Sequence, residues 1–171
     1  MLELGPLIRD VPDFPKKGIL FKDITTLLKN PVAFKQSIDE LTERVRGLNP
    51  GVVIGMESRG FIFAAPIAYQ LDAGFVPVRK LGKLPGEVVS AEYDLEYGTN
   101  TLELHRDAVR KGDRVLIVDD LLATGGTVSA TIELVERLEG KVVAVAFLVE
   151  LTALKGRDRL QAYEVISLLK F

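Results

Sequence analysis

Four short apolar runs, separated by stretches with helical spacing, constrain the fold of this 171-residue chain more than any other feature. The runs are VVIGM (52–56), FVPVR (75–79), RVLIV (114–118) and VVAVAFLV (142–149). A strand that is apolar throughout is typical of a sheet covered on both faces, and helices between such strands indicate parallel pairing. We therefore predict an α/β fold in which helices flank a central parallel sheet, formed by a single domain over residues 1–171.

The other segments predict the remaining elements. Asn30 followed by Pro31 fits the start of a helix, with asparagine as the N-cap. FIFAAPIAYQL (61–71) is apolar nearly all round, which predicts a buried helix. Residues 87–105 alternate between apolar and acidic side chains on either side of a turn, which predicts a hairpin inserted between two core strands. Residues 1–29 are interrupted by prolines and do not predict a long helix.

The composition excludes several classes of function. A net charge of −2 gives no general attraction to nucleic acids or to anionic membranes, so we expect neither as a partner. The absence of cysteine excludes thiolate catalysis and disulfides, and the single histidine, His105, excludes a multi-histidine metal site. No basic segment followed by an apolar run opens the sequence, and we therefore expect a cytoplasmic protein.

Polar and glycine-containing motifs follow three of the predicted strands. ESRGF follows the first strand, RKLGKLPG overlaps the end of the second, and DDLLATGGT follows the third. Because ligands of open α/β sheets bind at the carboxyl ends of the strands, we expect these motifs to meet in one active site.

The last of these motifs has the parts of a phosphate cradle. Small residues at 123–127 let backbone N–H groups approach an anion, Thr124 and Thr127 add hydroxyl donors, and the following helix contributes its positive end. Asp119 and Asp120, just before the loop, can accept hydrogen bonds from a vicinal diol, and a phosphate near a diol describes a ribose 5-phosphate. Taken alone, the loop also fits a tight turn with a threonine cap, and the aspartates fit a solvated strand end or magnesium ligands.

VLIVDDLLATGGT (115–127) closely resembles the phosphoribosyl pyrophosphate (PRPP) signature of the type I phosphoribosyltransferases. Together with DFPKKGILFKDIT, ESRGF, VRKLGKLPG, YDLEYGTNTLELH and FLVELTALKGR, it makes nearly the whole chain similar to the adenine phosphoribosyltransferase family. The resemblance implies the type I phosphoribosyltransferase fold, with an N-terminal hood at residues 1–29 and a pyrophosphate loop and lid hairpin at residues 80–105. It also implies transfer of the 5-phosphoribosyl group from PRPP to adenine in purine salvage, giving AMP and pyrophosphate, with Mg²⁺ as cofactor and a homodimer as the assembly.

The resemblance also assigns roles to individual residues. Those that would bind the 5-phosphate of PRPP or AMP are Ala123, Thr124, Gly125, Gly126 and Thr127. Those that would bind pyrophosphate are Arg79, Lys80, Lys83 and Ser58, and magnesium would be carried by the pyrophosphate. Those that would bind adenine are Leu20, Phe21, Lys22 and Arg59. Those with a catalytic role would be Glu96, Asp119, Asp120 and Arg59, with Tyr97 beside Glu96 in the lid.

Several of these residues also fit a purely structural interpretation. Basic residues in loops such as 79–83 are usually solvated, and Phe21 fits a core aromatic. Glu96 shares one face of the hairpin with Glu92 and Asp94, so a solvated face would explain it as well.

The resemblance has one departure and one further implication. Lys22 stands where the family commonly has arginine, which matters only if a side chain rather than the backbone reads the base. The family often has a non-proline cis peptide in the ESRGF turn, which we expect at Glu57–Ser58 or Ser58–Arg59.

Alternatives of other kinds stay open. An enzyme of the same fold could act on hypoxanthine or xanthine, and activity with each base would decide. A regulator that uses the PRPP site as a sensor would need a DNA-binding element and a basic surface, which the sequence does not offer. A nucleotidase with a Walker loop is the weakest alternative, because no lysine follows the glycines.

Overall fold

The computed structural model describes residues 2–95 and 98–171. The chain divides into two compact units, Met1–Glu40 and Leu41–Phe171. The sequence favours one domain over the whole chain, and that interpretation stays a prediction.

The first unit contains a two-stranded antiparallel ribbon. A 3₁₀ turn at Gly5–Leu7 precedes β1 (Arg9–Pro12), which pairs with β2 (Leu20–Asp23), and α1 (Thr25–Lys29) follows. α2 (Pro31–Arg46) begins in this unit. The side-chain oxygen of Asn30 accepts the backbone N–H groups of Val32 and Ala33, both at 3.1 Å, which confirms the predicted N-cap.

The second unit is built on a seven-stranded sheet in the order β5-β6-β4-β3-β7-β8-β9. Its elements are β3 (Val52–Met56), α3 (Gly60–Gln70), β4 (Gly74–Lys80), β5 (Val88–Leu95), β6 (Gly98–His105), β7 (Arg114–Leu122), α4 (Gly126–Arg137), β8 (Lys141–Glu150) and β9 (Val165–Lys170), with 3₁₀ turns at Thr152–Leu154 and Gly156–Leu160. Neighbouring strands from β4 to β9 in this order pair in parallel, and β5 and β6 pair antiparallel at one edge. The predicted α/β fold with a central parallel sheet is confirmed.

The predicted hairpin is formed by β5 and β6, and it joins the main sheet. β6 pairs with β4, where Glu103 lies opposite Arg79 and Leu102 opposite Lys80. Leu102 and Leu104 are buried in the core, so the base of the hairpin is anchored there. At its other end, Glu96 and Tyr97 lie outside the described residues.

The helix predicted to be buried all round is buried on one side only. In α3, Phe63, Ala64 and Ile67 are completely buried, whereas Ile62 is 36% exposed and Tyr69 is 86% exposed. An all-round apolar helix is therefore half covered within this chain, and its outer side has the character of a contact surface. None of the helices that the structure describes combines the length and the apolarity that crossing a bilayer requires.

Candidate active site

The turn between β7 and α4 forms a cradle of backbone groups. Gly125 precedes α4 with a φ of 84°, in the left-handed region that glycine adopts without strain. The loop residues 123–127, together with Met56, Asp119 and Phe147, line a cavity of about 60 Å³. Because the first turn of a helix presents free N–H groups and a positive dipole end, this cavity suits a phosphate group.

A second turn supports the cradle from behind. A Cβ atom at Gly156, which begins the second 3₁₀ turn, would overlap the carbonyl oxygen of Ala123. A Cβ atom at Gly125 would lie 2.8 Å from the carbonyl oxygen of Gly156. Two stretches of main chain therefore touch with no side chain between them, and this contact holds the loop on its path. Gly156 belongs to ALKGR, a stretch whose residues received no role from the sequence.

Asp119 and Asp120 lie within β7, which extends past the predicted strand end to Leu122. Asp119 lines the cavity, and its Oδ1 accepts the backbone N–H of Asp120 at 2.9 Å. The carboxylate of Asp120 is 5% exposed, and its Oδ2 lies 2.9 Å from the Nε of Arg59. The turn after β3 therefore supplies the cation beside this acid.

Both aspartates are difficult to ionise. Burial raises the pKa of Asp119 well above its ordinary value, and the neighbouring charge of Asp120 raises it further. Burial also raises the pKa of Asp120, although Arg59 opposes that shift. In this buried position the two negative charges need a stabilising partner. Hydroxyl groups that donate hydrogen bonds, or a positive charge, would stabilise them, and ligands with such groups suit the pair.

Glu57 contacts the basic residues at the end of β4 and in the loop after it. Its carboxylate accepts the backbone N–H of Lys80 at 2.9 Å and the Nζ of Lys83 at 2.8 Å. The Nε of Arg79 lies 3.4 Å from the same carboxylate. Burial alone would raise the pKa of Glu57, but the hydrogen bonds from Lys83, Lys80 and Arg79 outweigh it and lower the pKa to about 2. The group is therefore ionised throughout the neutral range.

A second buried carboxylate holds the same loop. Glu103 on β6 is 6% exposed and accepts the backbone N–H of Gly82 at 2.9 Å. Leu81 donates its N–H to the carbonyl oxygen of Thr101, also on β6, at 3.1 Å. The loop 79–83 is thus held by Glu57 on one side and by the hairpin on the other. Sequence reasoning missed both glutamates, since Glu103 alternates with leucines as an ordinary solvated face would.

The remaining predicted residues of the ESRGF turn are placed as follows. The peptide bond between Glu57 and Ser58 is cis, which confirms that expectation. Ser58 is exposed, and Arg59 is half-buried next to Asp120.

The predicted adenine-binding residues of the hood lie on β2 in the first unit. Leu20 is 49% exposed, and Phe21 packs edge-on against Phe14 with ring centroids 5.1 Å apart. Lys22 is buried and its Nζ lies 2.6 Å from a carboxylate oxygen of Asp10. The exposed Leu20 argues against a plain core role for that residue, whereas Lys22 is occupied by its ion pair.

In the second unit the structure brings the predicted residues together in two groups. The loop 123–127 and Asp119 share one cavity, and Arg79 and Lys83 meet at Glu57. β3 and β7, from which these groups extend, are neighbouring parallel strands, and Met56 at the end of β3 lines the cavity. The carboxyl ends of the strands therefore form the site, as the sequence predicts.

Within residues 2–95 and 98–171, no three His, Asp or Glu side chains converge in a way that would hold a metal ion. The acidic oxygens of Asp119 and Asp120 are hard donors of the kind Mg²⁺ accepts, and burial raises the pKa of both although Arg59 lies beside Asp120. The donor set therefore fits a magnesium ion that arrives with a ligand better than one held by the protein alone.

Comparison with known proteins gives the same assignment over the full chain. The phosphoribosyl transferase domain family matches residues 23–170. The adenine phosphoribosyltransferase of Carboxydothermus hydrogenoformans is 57% identical over 170 residues, covering 99% of this chain and 100% of the relative. These similarities favour an enzyme over a regulator or a nucleotidase.

Solved structures agree with this sequence similarity. The adenine phosphoribosyltransferase of Thermoanaerobacter pseudethanolicus superposes with a TM-score of 0.96 at 56% identity, covering 98% of both chains. That of Saccharomyces cerevisiae, complexed with an imino-altritol bisphosphate and adenine, gives a TM-score of 0.91 at 43% identity, covering 96% of both chains.

Proposed function

This chain belongs to the adenine phosphoribosyltransferases of the phosphoribosyltransferase family, and on that premise we propose how its residues divide the reaction. The enzyme transfers the 5-phosphoribosyl group of PRPP to adenine, giving AMP and pyrophosphate in purine salvage. The observation that supports the division of roles is the pair of anion sites at the ends of β4 and β7, one built of backbone and one of basic side chains.

The loop 123–127 binds the 5-phosphate, which PRPP and AMP share. Its cavity of about 60 Å³ leaves space for a phosphate group. The helix N-terminus and the hydroxyls of Thr124 and Thr127 supply donors without adding a formal charge. Ala123, Gly125 and Gly126 keep the loop small enough for the anion to approach the main chain.

Arg79, Lys80, Lys83 and Ser58 bind the pyrophosphate. Two of them are cations held at Glu57, and both keep part of their surface open, since the side chains of Arg79 and Lys83 are 35% and 49% exposed. Charge-assisted hydrogen bonds of this kind stabilise a leaving group that gains charge as the bond to C1′ breaks.

Asp119, Asp120 and Arg59 act on the ribose between these two anion sites. The carboxylates accept hydrogen bonds from the 2- and 3-hydroxyls, and their negative charge stabilises a ring that becomes positive as pyrophosphate departs. Arg59 orients Asp120 and reaches toward the base.

Adenine is bound by Leu20, Phe21, Lys22 and Arg59, with Glu96 and Tyr97 closing over it from the hairpin. Phe21 offers a flat face for stacking, and the backbone around Leu20 and Lys22 reads the exocyclic amine. Because the Lys22 ammonium is engaged by Asp10, this readout rests on backbone groups rather than on that side chain. Glu96 stabilises the charge that arises near N7 when N9 attacks C1′, and closure excludes water from the reactive sugar.

Magnesium would be carried by the pyrophosphate of PRPP. When bound, the ion neutralises charge on the leaving pyrophosphate. Asp119 and Asp120 are the residues that would contact it or its water shell.

The enzyme is a homodimer in the cytoplasm. The outer side of α3, with Ile62 and Tyr69, and the exposed Phe75 and Leu81 in and after β4 supply apolar surface for a second copy. Analytical ultracentrifugation of the purified chain tests this assembly, and a monomer at micromolar concentration would contradict it.

One assay tests the proposal as a whole. AMP formation is measured from adenine and PRPP with and without Mg²⁺, and hypoxanthine and xanthine replace adenine in parallel reactions. We expect magnesium-dependent AMP formation and at least a hundredfold preference for adenine, since a site that pairs with a polar edge rejects a base with a different edge. Equal use of hypoxanthine would overturn the adenine site proposed above.

A further inference from the structure

Glu57 is a buried anion, and the cations that contact it, Arg79 and Lys83, are partly open to solvent. Its carboxylate is 9% exposed, whereas the side chains of Arg79 and Lys83 are 35% and 49% exposed. Both carboxylate oxygens already accept hydrogen bonds, one from the Nζ of Lys83 at 2.8 Å and one from the backbone N–H of Lys80 at 2.9 Å. A solvent-side anion can reach the two cations, but it cannot displace Glu57 from the turn.

The charges in this group are not fully balanced. One carboxylate faces the two cations of Arg79 and Lys83, which leaves about one positive charge for a ligand. An anion that binds Lys83 must share that ammonium with Glu57 or take it away. In either case the negative charge of Glu57 stays within a few ångströms of the anion, where it is weakly screened. The very low pKa of Glu57, about 2, keeps that charge present at any working pH.

The path of the loop does not depend on Glu57 alone. Gly82 donates its N–H to Glu103 at 2.9 Å, and Leu81 donates to the carbonyl oxygen of Thr101 at 3.1 Å. A glutamine at position 57 still has an oxygen that can accept the N–H of Lys80. The charge of Glu57 can therefore be removed while the loop keeps its anchors.

We propose that Glu57 competes with pyrophosphate for Arg79 and Lys83, and so weakens the binding of this product enough for it to leave. The inference rests on the proposed assignment of the loop 79–83 to pyrophosphate. Glu57 acts through the loop cations and is a positioning residue. If it merely held the cations ready for the ligand, its loss would weaken binding; as a competitor, its loss strengthens binding.

The test is calorimetric titration of magnesium pyrophosphate into the wild type and Glu57→Gln. We expect Glu57→Gln to bind about fivefold tighter, the size of one charge interaction at a partly exposed site. Turnover with adenine and PRPP is expected to slow by a similar factor, while the single-turnover rate of AMP formation stays unchanged. Unchanged or weaker binding of pyrophosphate overturns the inference.

Two further variants separate the possible failures. Glu139→Gln is the matched control, since Glu139 pairs with Lys111 at 2.6 Å before the start of β7, at the opposite end of the strand from the site, and its affinity is expected to match the wild type. Lys83→Gln tests the loop assignment itself: if it does not weaken pyrophosphate binding, the proposed function of the loop fails. If it weakens binding but Glu57→Gln does not strengthen it, only the inference about Glu57 fails. Glu57→Ala replaces Glu57→Gln if the latter does not fold, with the same expected direction.

Discussion

The loops at the ends of β7 and β4, which we propose as the two anion sites, are built in different ways. The loop 123–127 has no charged side chain, and its shape is held by contact between main-chain atoms at Gly125 and Gly156. The loop 79–83 relies on the charges of Arg79 and Lys83, which are balanced in part by Glu57. The loop 123–127 is therefore uncharged and fixed by main-chain contact. The loop 79–83 is charged, and its cations can exchange partners between Glu57 and a ligand.

Under the proposed assignment of the two loops, the difference corresponds to the fates of the two phosphate groups. The 5-phosphate stays on the sugar through the whole reaction, so a fixed cradle serves PRPP and AMP equally. Pyrophosphate is attached at the start and must depart at the end, so a site whose cations have an internal partner suits it better. On this assignment, backbone geometry binds the 5-phosphate, which stays on the sugar, and charged side chains bind the pyrophosphate, which leaves.

The strongest test of the rigid site is Gly156→Ala. The new methyl group would overlap the carbonyl oxygen of Ala123, so the backbone at one of the two positions must shift. We expect kcat/KM for PRPP to fall by roughly 10²-fold, the effect of a small misplacement at a binding site. AMP affinity is expected to fall in parallel, while the affinity for pyrophosphate changes little. Steady-state kinetics and calorimetry with AMP and pyrophosphate give these values.

Gly51→Ala is the control for that substitution. A Cβ at Gly51 meets nothing within 4 Å, so activity and stability are expected to match the wild type. If Gly156→Ala binds AMP as well as Gly51→Ala does, the cradle is not held by main-chain contact.

Glu96→Gln is expected to slow the chemistry without disturbing either anion site. The substitution keeps the shape of the side chain and removes the charge proposed to act near N7 of adenine. The single-turnover rate is expected to fall on the order of 10²-fold, as for a positioned acid–base group, with little change in adenine KM. An unchanged single-turnover rate would mean that Glu96 is an ordinary solvated residue of the hairpin.

Lys83→Gln is expected to affect the loop 79–83 and to leave the loop 123–127 intact, the reverse of Gly156→Ala. Removing this cation is expected to weaken pyrophosphate binding roughly tenfold, because a hydrogen bond to a charged group is lost. AMP, which carries no pyrophosphate, is expected to bind as tightly as before. A parallel loss of AMP affinity would mean that the two loops do not act independently.

A smaller effect is the pH dependence of stability, to which Glu57 and Asp119 contribute with opposite signs. The pKa of Glu57 is lowered to about 2 in the folded state, so its contribution to stability is present above the ordinary value of 4.5 and is lost as pH falls toward 2. The pKa of Asp119 is raised in the folded state, so the free energy of unfolding falls as pH rises above 3.8, where only the unfolded chain ionises this group readily. At pH 7.5 we expect Glu57→Gln to lower the free energy of unfolding by about 1 kcal/mol, and we expect Asp119→Asn to raise it.

Urea denaturation at two pH values checks both signs. Between pH 7.5 and pH 5 the loss in Glu57→Gln is expected to persist, because both values lie above its titration range. The gain in Asp119→Asn is expected to shrink over the same interval, because the cost of keeping this group in the folded state falls as the pH approaches the ordinary pKa of 3.8. Loss of stability in both variants would mean that the buried pair is already compensated in the folded protein.

The parts of the fold that follow local rules were predictable from the sequence. The apolar runs gave the four central strands, Asn30 gave the helix cap, and alternation gave the hairpin. The strand β9 was missed, since VISLLK lacks the continuous apolar character of a central strand. α3 was expected to be buried on all sides because composition does not reveal whether a second surface covers it.

The predictable part of the site was the part carried by contiguous motifs. The chemistry of DDLLATGGT and ESRGF could be predicted from the residues of each motif alone. Glu103, in contrast, contacts the loop only because β6 pairs with β4. Gly156 acquires its function from a contact with a residue 33 positions earlier in the chain. Neither relation has a local signature, so only the tertiary structure brings them into the site.

The contact at Gly156 also restricts how sequences like this one can change over evolutionary time. A side chain that clashes with another side chain can be accommodated by a second substitution nearby, but the obstacle here is the carbonyl oxygen of Ala123, which every amino acid carries. No compensating replacement at position 123 can make space. Variation is therefore expected to accumulate freely at exposed positions without a proposed role, such as Lys35 or Lys111, before it is tolerated at this glycine.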